Sequence, residues 1–235
     1  AALQNILREA DCVVALSQSW QKALSEEIGL TNCTAIPNGI SLKAYANDFK
    51  PFEDRTIDFL FMGRLGIEKG TDNLLQSLKR IKADGKRFRC VLAGDGPVQD
   101  YSQWVNEAQM GEQVVFAGWV KGRQKRELLQ NSRILLLPSR HEGMPMSILE
   151  AMAYGEAVIS TRVGGIPEAV ADGESGFLIE PDEEETLYQA MRRLLDEPKL
   201  AEQMGCCGHE IVRQKFDLEQ IHRQLYALYG RILGE

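Results

Sequence analysis

Ile134-Leu-Leu-Leu-Pro-Ser-Arg-His-Glu-Gly-Met-Pro-Met-Ser-Ile-Leu-Glu-Ala-Met-Ala-Tyr-Gly155 is the stretch that decides the fold. It opens on an apolar run, Ile134 to Leu137, short enough for a buried strand and flanked by turn chemistry. Glu142 then falls in a loop with Gly143 and Pro145. Glu150 falls in a helix whose Ile148, Leu149, Met152 and Ala153 are core residues, which places Glu150 near a cleft rather than on an open surface. Two carboxylates around a strand end and a helix start suit a ligand that offers both hydroxyls and phosphates. Hydroxyls donate to carboxylates, and phosphates seek unpaired backbone N–H groups and the positive helix end.

Outward from this block, the same alternation continues in both directions. Candidate strands are Ile57–Met62, Arg89–Ala93, Val114–Ala117, Ile134–Leu137, Ala157–Ser160 and Gly176–Ile179. Between them lie the helical patterns Asp72–Ala83, Val98–Ala108, Gln124–Gln130, Ser147–Ala153, Ile166–Ala171 and Glu183–Asp196. Near-continuous apolar strands separated by amphipathic helices predict an α/β domain with a doubly wound, Rossmann-like parallel sheet covered on both faces. Its ligand is expected beyond the carboxyl ends of the strands.

Residues 1–36 read differently: a strand at Val13–Leu16 after a helix end, a helix at Ser19–Glu27 and a strand at Thr34–Ile36. Such a unit cannot bury both of its faces alone and is read as the closing piece of a preceding domain. Pro37-Asn38-Gly39 is turn chemistry, and residues 37–50 are read as an interdomain hinge. The main domain is placed at 51–215, and the far end of the sequence carries two more helices, at Pro198–Lys215 and Leu218–Leu233. Residues 216–235 are read as a last helix with Ile221, Leu225, Leu228, Tyr229 and Ile232 at helical spacing, so one face of it is expected to pack on this domain or on the missing one.

Composition bounds the function. The 235 residues are 44% hydrophobic and 26% charged, ordinary for a folded globular chain. A net charge of −7 argues against a nucleic-acid surface, which needs a concentrated positive field. Five cysteines without paired metal spacing, beside only three histidines, read as reduced thiols, with no structural zinc expected. No apolar run reaches membrane-spanning length.

Four further segments accompany the two glutamates. Gly63-Arg-Leu-Gly-Ile-Glu-Lys-Gly70 follows the first strand of the main domain. Arg64 can grip two phosphate oxygens at once, Lys69 is a mobile point charge, and the glycines let backbone approach closely. The Gly-Lys-Ser/Thr ending of a Walker loop is missing. Gly94-Asp-Gly-Pro97 is read as a mainly architectural turn whose backbone lines a nucleotide pocket. Val163-Gly-Gly-Ile-Pro-Glu168 opens another helix, where Glu168 complements the helix dipole or contributes to the site. His141 is read as a hydrogen-bonding loop residue. A retaining-hydrolase carboxylate pair stays open for Glu142 and Glu150, since spacing in sequence does not fix separation in space.

Together these motifs resemble the retaining nucleotide-sugar glycosyltransferases of the glycosyl transferases group 1 family. The parts occur in family order from the Ser17 region to about Lys215: Ala35-Ile-Pro-Asn-Gly-Ile40, Gly63-Arg-Leu with Lys69-Gly70, Gly94-Asp-Gly-Pro97, Phe116-Ala-Gly118, the Glu142-x7-Glu150 block, and Gly164-Gly-Ile-Pro-Glu168. The resemblance implies the C-terminal half of a GT-B fold, which binds a nucleotide-diphosphate-sugar donor. It implies contacts from Arg64 and Lys69 to the diphosphate, from Glu142 to the donor sugar and from Glu150 to the ribose. The implied catalytic set is Glu142, Arg64 and Lys69. The implied donor-binding set is Gly63, Arg64, Lys69, Gly94, Glu142, Gly143, Met144, Pro145, Met146 and Glu150. Pro145 shapes the loop without an N–H to donate. No metal or other cofactor is required by the family pattern, because basic residues offset leaving-group charge.

Family members also carry an N-terminal domain with a Gly-rich loop and acceptor-site residues, of which this sequence resembles only the closing unit. The acceptor, a glycan, a lipid-linked or a small molecule, is therefore expected to bind through that missing half. Without it the fragment is expected to hold donor but turn over little. The resemblance implies a cytoplasmic enzyme and allows peripheral association of the full-length protein with the inner face of the cytoplasmic membrane. Two alternatives remain: a nucleotide-sugar 2-epimerase, which the Glu-x7-Glu block disfavours, and a non-catalytic interaction domain, which intact Arg64, Lys69, Glu142 and Glu150 disfavour.

Overall fold

The computed structural model describes residues 2–44 and 50–234. Part of the hinge read at 37–50 falls on residues 45–49, outside the described residues. Among the described residues eight strands are formed: β1 (Val13–Ala15), β2 (Cys33–Ala35), β3 (Ile57–Met62), β4 (Cys90–Ala93), β5 (Val114–Gly118), β6 (Ser132–Leu137), β7 (Ala157–Thr161) and β8 (Gly176–Ile179). The last six make one all-parallel sheet in the order β5-β4-β3-β6-β7-β8. The chain runs outward from β3 to β5, then returns to lay β6 on the free side of β3, with Phe59, Leu60 and Phe61 beside Ile134, Leu135 and Leu136. That reversal leaves a crevice at the carboxyl ends of β3 and β6, where an open α/β sheet takes its ligands.

The core of the sheet is apolar. Phe59, Leu60, Phe61, Leu135 and Leu136 are fully buried, each worth about 1.5–3 kcal/mol of transfer free energy. The covering helices are α3 (Thr71–Ala83), α4 (Val98–Glu107), α5 (Gly122–Asn131), α6 (Met146–Ala153), α7 (Ile166–Ala169), α8 (Glu184–Asp196) and α9 (Pro198–Lys215). Among them α3 packs on α8 and α6 on α9. The doubly wound parallel sheet read from the sequence is thus present. Its β6 starts two residues earlier than the apolar run because Ser132 and Arg133 are satisfied inside the sheet. Ser132 donates to Leu128 O at 2.7 Å, and Arg133 reaches Asp58 at 2.9 Å. The short α7 stops at Ala169 rather than Ala171, since Val170 is already extended with ψ 117°.

At the other end of the sheet, buried Arg55 holds together carbonyls at the start of β6 and the end of α6. Its guanidinium donates to Ser132 O (2.9 Å), Gly155 O (3.1 Å) and Tyr154 O (2.8 Å). Glu156 lies fully buried nearby. Burial pushes its carboxyl well above the ordinary range, with the Arg55 charge a partial offset.

The N-terminal helices are α1 (Ala2–Glu9) and α2 (Gln18–Ile28), and α10 (Leu218–Leu233) ends the chain. The pair β1–β2 forms a separate two-stranded parallel sheet. Ser17 caps α2 by accepting from Trp20 N–H, and left-handed Gly29 ends it. The last helix crosses back: Ile221 and Leu228 of α10 pack with Ile36, Leu225 and Cys12. Its start is pinned by Ile40 N–H to Phe216 O (2.8 Å) and Leu218 N–H to Ile40 O (3.0 Å).

Candidate functional site

The crevice collects loops from both sides of the strand reversal. From the loop after β3 come Gly63, Arg64 and Lys69; from the loop after β6 come Glu142 to Pro145; from α6 come Met146 and Glu150. Lys69 closes an ion pair with Glu142, Nζ to Oε1 2.6 Å, and the Ser139 hydroxyl donates to the same oxygen at 2.8 Å. A second pair stands deeper: Lys125, in the first turn of α5, lies 2.7 Å from Glu150 Oε1 and 2.5 Å from Oε2, its hydrogen bond directed at Oε1. The Glu142 and Glu150 side chains are only 10% and 11% exposed. Carboxylates this shielded require cations or donors close by, and each has one lysine.

Arg64 is exposed and makes no hydrogen bond or ion pair with the described residues. It lines a hollow of about 400 Å3 with Lys69, Pro97 and Tyr101. Burial, reinforced by Asp72, pushes the Tyr101 phenol up to about 12. Its O–H therefore stays protonated and donates to Asp72 at 3.1 Å. A second cleft, about 180 Å3, is lined by Gly63, Gly94, Trp119, Lys125, Met146 and Glu150 among others. Trp119 is 70% exposed, an uncommon position for so large an apolar surface.

The glycines at the strand ends make these close approaches possible. A Cβ on Gly94 would stand 1.7 Å from Gly63 O, so the β3 and β4 loops touch backbone to backbone. Gly164 has φ +54°, and a Cβ there would stand 1.9 Å from Glu142 O. The loop of Glu142 is therefore shaped partly by the loop after β7. Within it, Gly165 N–H donates to Gly143 O at 2.6 Å. The N–H groups of Gly143 and Met144 have no acceptor among the described residues. Pro145 precedes α6 and accepts from Ile148 N–H at 3.2 Å. The Met144 side chain is buried, at 3% exposure, so its backbone is what it can offer a ligand; Met146 is 38% exposed.

The residues read from the sequence as donor-binding lie on the loops after β3, β4 and β6 and on α6, at the carboxyl ends of neighbouring strands. Sequence reading missed Lys125, Ser139 and Trp119. Ser139 lies inside the quoted block, and Trp119 directly follows the Phe116-Ala-Gly118 segment. Lys125 gives no local signal, because its partner is on another helix. His141 is exposed, with Nε2 3.9 Å from Glu68 Oε2. Glu168 is not spent on its own helix: it accepts from Gln18 and Ser19 N–H, both at 3.0 Å, at the start of α2. Among the described residues no three His, Cys, Asp or Glu side chains converge to hold a metal ion, and no helix is long and apolar enough to cross a membrane.

Known proteins share this architecture. The chain is 27% identical over 230 residues to a glycogen synthase of Mycobacterium tuberculosis, covering 95% of this chain and 55% of that protein. The chain therefore spans about half the length of the curated relatives it matches. The structure of a sucrose-phosphate synthase from Thermosynechococcus elongatus superposes with a TM-score of 0.86 at 26% identity, over 99% of this chain and 61% of that one. HepE of Anabaena, solved in complex with UDP-glucose, superposes with a TM-score of 0.84 at 22% identity, over 98% and 66%. The fold is the C-terminal half of GT-B. Residues 43–209, most of the chain, match the family described as glycosyl transferases group 1, and the chain belongs to that family.

Proposed function

We propose that these residues form the donor half of a glycosyltransferase that uses a nucleoside-diphosphate sugar and retains anomeric configuration. The observation that carries this reading is the pairing of two shielded carboxylates with lysines at the strand reversal, beside Arg64, which is unpaired among the described residues. Arg64 takes the diphosphate, joined by Lys69 once donor competes for its ammonium. Glu142 accepts from sugar hydroxyls and Glu150 from ribose hydroxyls. The unpaired N–H groups of Gly143 and Met144 supply further donors to phosphate oxygens. Trp119 and the strand-end backbone at Gly94 flank the base.

In the transfer itself, the acceptor oxygen bonds to the anomeric carbon as the bond from that carbon to the diphosphate oxygen breaks; negative charge grows on the departing diphosphate, which takes up the acceptor's hydroxyl proton. Arg64 and Lys69 are placed to hold that charge, an electrostatic role that needs no proton transfer and no metal. The acceptor enters from an N-terminal domain, of which residues 1–36 are the closing unit, with 37–50 as the hinge, 51–215 as the donor domain and 216–235 crossing back. The enzyme acts in the cytoplasm, on a glycan, lipid-linked or small-molecule acceptor, with peripheral membrane association where that acceptor is lipid-linked. The complex of HepE with UDP-glucose makes UDP the first nucleotide to try. Calorimetric titration of this chain with UDP, GDP and ADP tests the reading: one of them binds, and Arg64→Ala weakens it. Failure of all three removes the donor-site assignment.

A further inference from the structure

Three successive carbonyl oxygens of the donor loop are each taken by a donor from outside it. Trp20 Nε1–H donates to Glu142 O at 3.1 Å, Gly165 N–H to Gly143 O at 2.6 Å, and Asn38 Nδ2–H to Met144 O at 2.8 Å. Two of these donors, Trp20 and Asn38, stand on chain that precedes the six-stranded sheet.

A second set of bonds fastens the same N-terminal segment to the neighbouring loop. The first three N–H groups of α2 have no partner within their own helix. Ser17 Oγ accepts from Trp20 at 3.1 Å, while Glu168 accepts from Gln18 and Ser19 at 3.0 Å each. A carboxylate at the positive end of a helix gains both hydrogen bonds and dipole attraction. Ser19 Oγ adds a bond to Gly164 O at 2.8 Å, and Gly164 itself is in contact distance of the Glu142 carbonyl. One face of α2 therefore touches the Glu142 loop directly, through Trp20, and indirectly, through Glu168 and Gly164.

We propose that Trp20, Asn38 and Glu168 are positioning residues that set where Glu142 presents its carboxylate to the donor sugar. Seating of the N-terminal unit and capture of the sugar are then coupled, and by linkage each tightens the other by the same factor. This rests on the donor-site reading above. It goes beyond that reading in assigning the aim of Glu142 to residues that touch no ligand.

The test uses this chain with Trp20→Phe, which removes one N–H from a 44% exposed ring, and Glu168→Gln. Calorimetry compares UDP with UDP-glucose. Positioning predicts UDP affinity within about twofold of the parent, and UDP-glucose affinity reduced about tenfold, the scale of one lost charge-assisted or well-oriented hydrogen bond. Equal losses for both ligands, or no loss for either, overturn it, since a merely structural role does not separate sugar from nucleotide. If the parent chain binds none of UDP, GDP or ADP, the donor reading fails on its own, and amide hydrogen exchange decides the tether. Residues 142–147 must then exchange about fivefold faster in both variants with β3 and β6 unchanged; unchanged exchange over 142–147 overturns the proposal.

Discussion

Lys69 Nζ lies 2.6 Å from Glu142 Oε1, although one residue follows β3 and the other follows β6. The two strands are neighbours only because the chain reverses its winding there. The ion pair therefore ties the two sides of the crevice across the strand reversal. It also means that a phosphate reaching Lys69 competes with a carboxylate already in place.

Removing the lysine should thus be worse than removing an isolated surface cation. In Lys69→Ala, Glu142 keeps Ser139 as donor but loses its counter-charge in a site where it is 10% exposed. The expected outcome is a loss of about 1–2 kcal/mol in folding stability, the cost of leaving a shielded charged group under-satisfied. UDP affinity should fall by about tenfold or more. Denaturant titration and calorimetry check the two effects separately. Lys69→Arg, which keeps the charge but not the point geometry, should restore stability more fully than binding.

Gly164→Ala should damage the same loop without touching a charge. Its φ of +54° already strains a non-glycine residue, and the added Cβ would stand 1.9 Å from Glu142 O. That contact is with backbone, so a side-chain rotation does not relieve it. A destabilisation of about 2–3 kcal/mol is expected, read from the midpoint of urea unfolding. UDP-glucose binding should suffer more than UDP binding.

Much of this was legible in the residues. Ile57–Met62 and Gly176–Ile179 carry near-continuous apolar runs, the first interrupted by Asp58, and both strands have those bounds. Ile148, Leu149, Met152 and Ala153 are fully buried, and they turn Glu150 toward the cleft wall as their spacing implied. The partnerships were not legible. Lys125 meets Glu150 only after α5 has crossed back over the sheet. Glu168 reads locally as a residue for its own helix, yet it serves α2, some 150 positions earlier. Periodicity reports which face is buried, while the pairing of polar groups depends on which loops the topology brings together. Ser132 and Arg133 hid the start of β6 for the same reason, since their polar groups find partners only inside the finished fold.

Glu156 gives a pH signature independent of any ligand. Burial raises its folded-state value well above the ordinary 4.5, so the folded protein holds it protonated while the unfolded chain ionises it. Between those two values unfolding releases a proton, and stability falls as pH rises. The contribution is complete below about pH 4.5 and is lost progressively up to the folded-state value. Glu156→Gln keeps the shape without a titrating group. It should raise Tm at pH 7 to 8 and flatten this falling slope, while changing Tm little near pH 4.5. Thermal unfolding across that range checks the sign; a parent slope that Gln leaves intact means another group carries it.

The Lys125–Glu150 pair supplies the sharpest test of ribose recognition. Glu150 is 8% exposed as a residue and borders the cleft shared with Gly63, Gly94 and Trp119. A carboxylate in that position accepts from hydroxyls, and a ligand without them leaves it facing an apolar edge. The parent chain should therefore prefer UDP to 2′,3′-dideoxy-UDP by about tenfold to a hundredfold, the range for hydrogen bonds to a charged group. Glu150→Gln retains one acceptor but loses the charge, so the preference should shrink to a few-fold. Lys125→Ala acts differently, because it leaves the carboxylate without its cation and lowers stability as well as affinity. The ratio between the two nucleotides separates these effects: Glu150→Gln collapses it, whereas a role in folding alone would weaken both nucleotides equally and leave the ratio as in the parent.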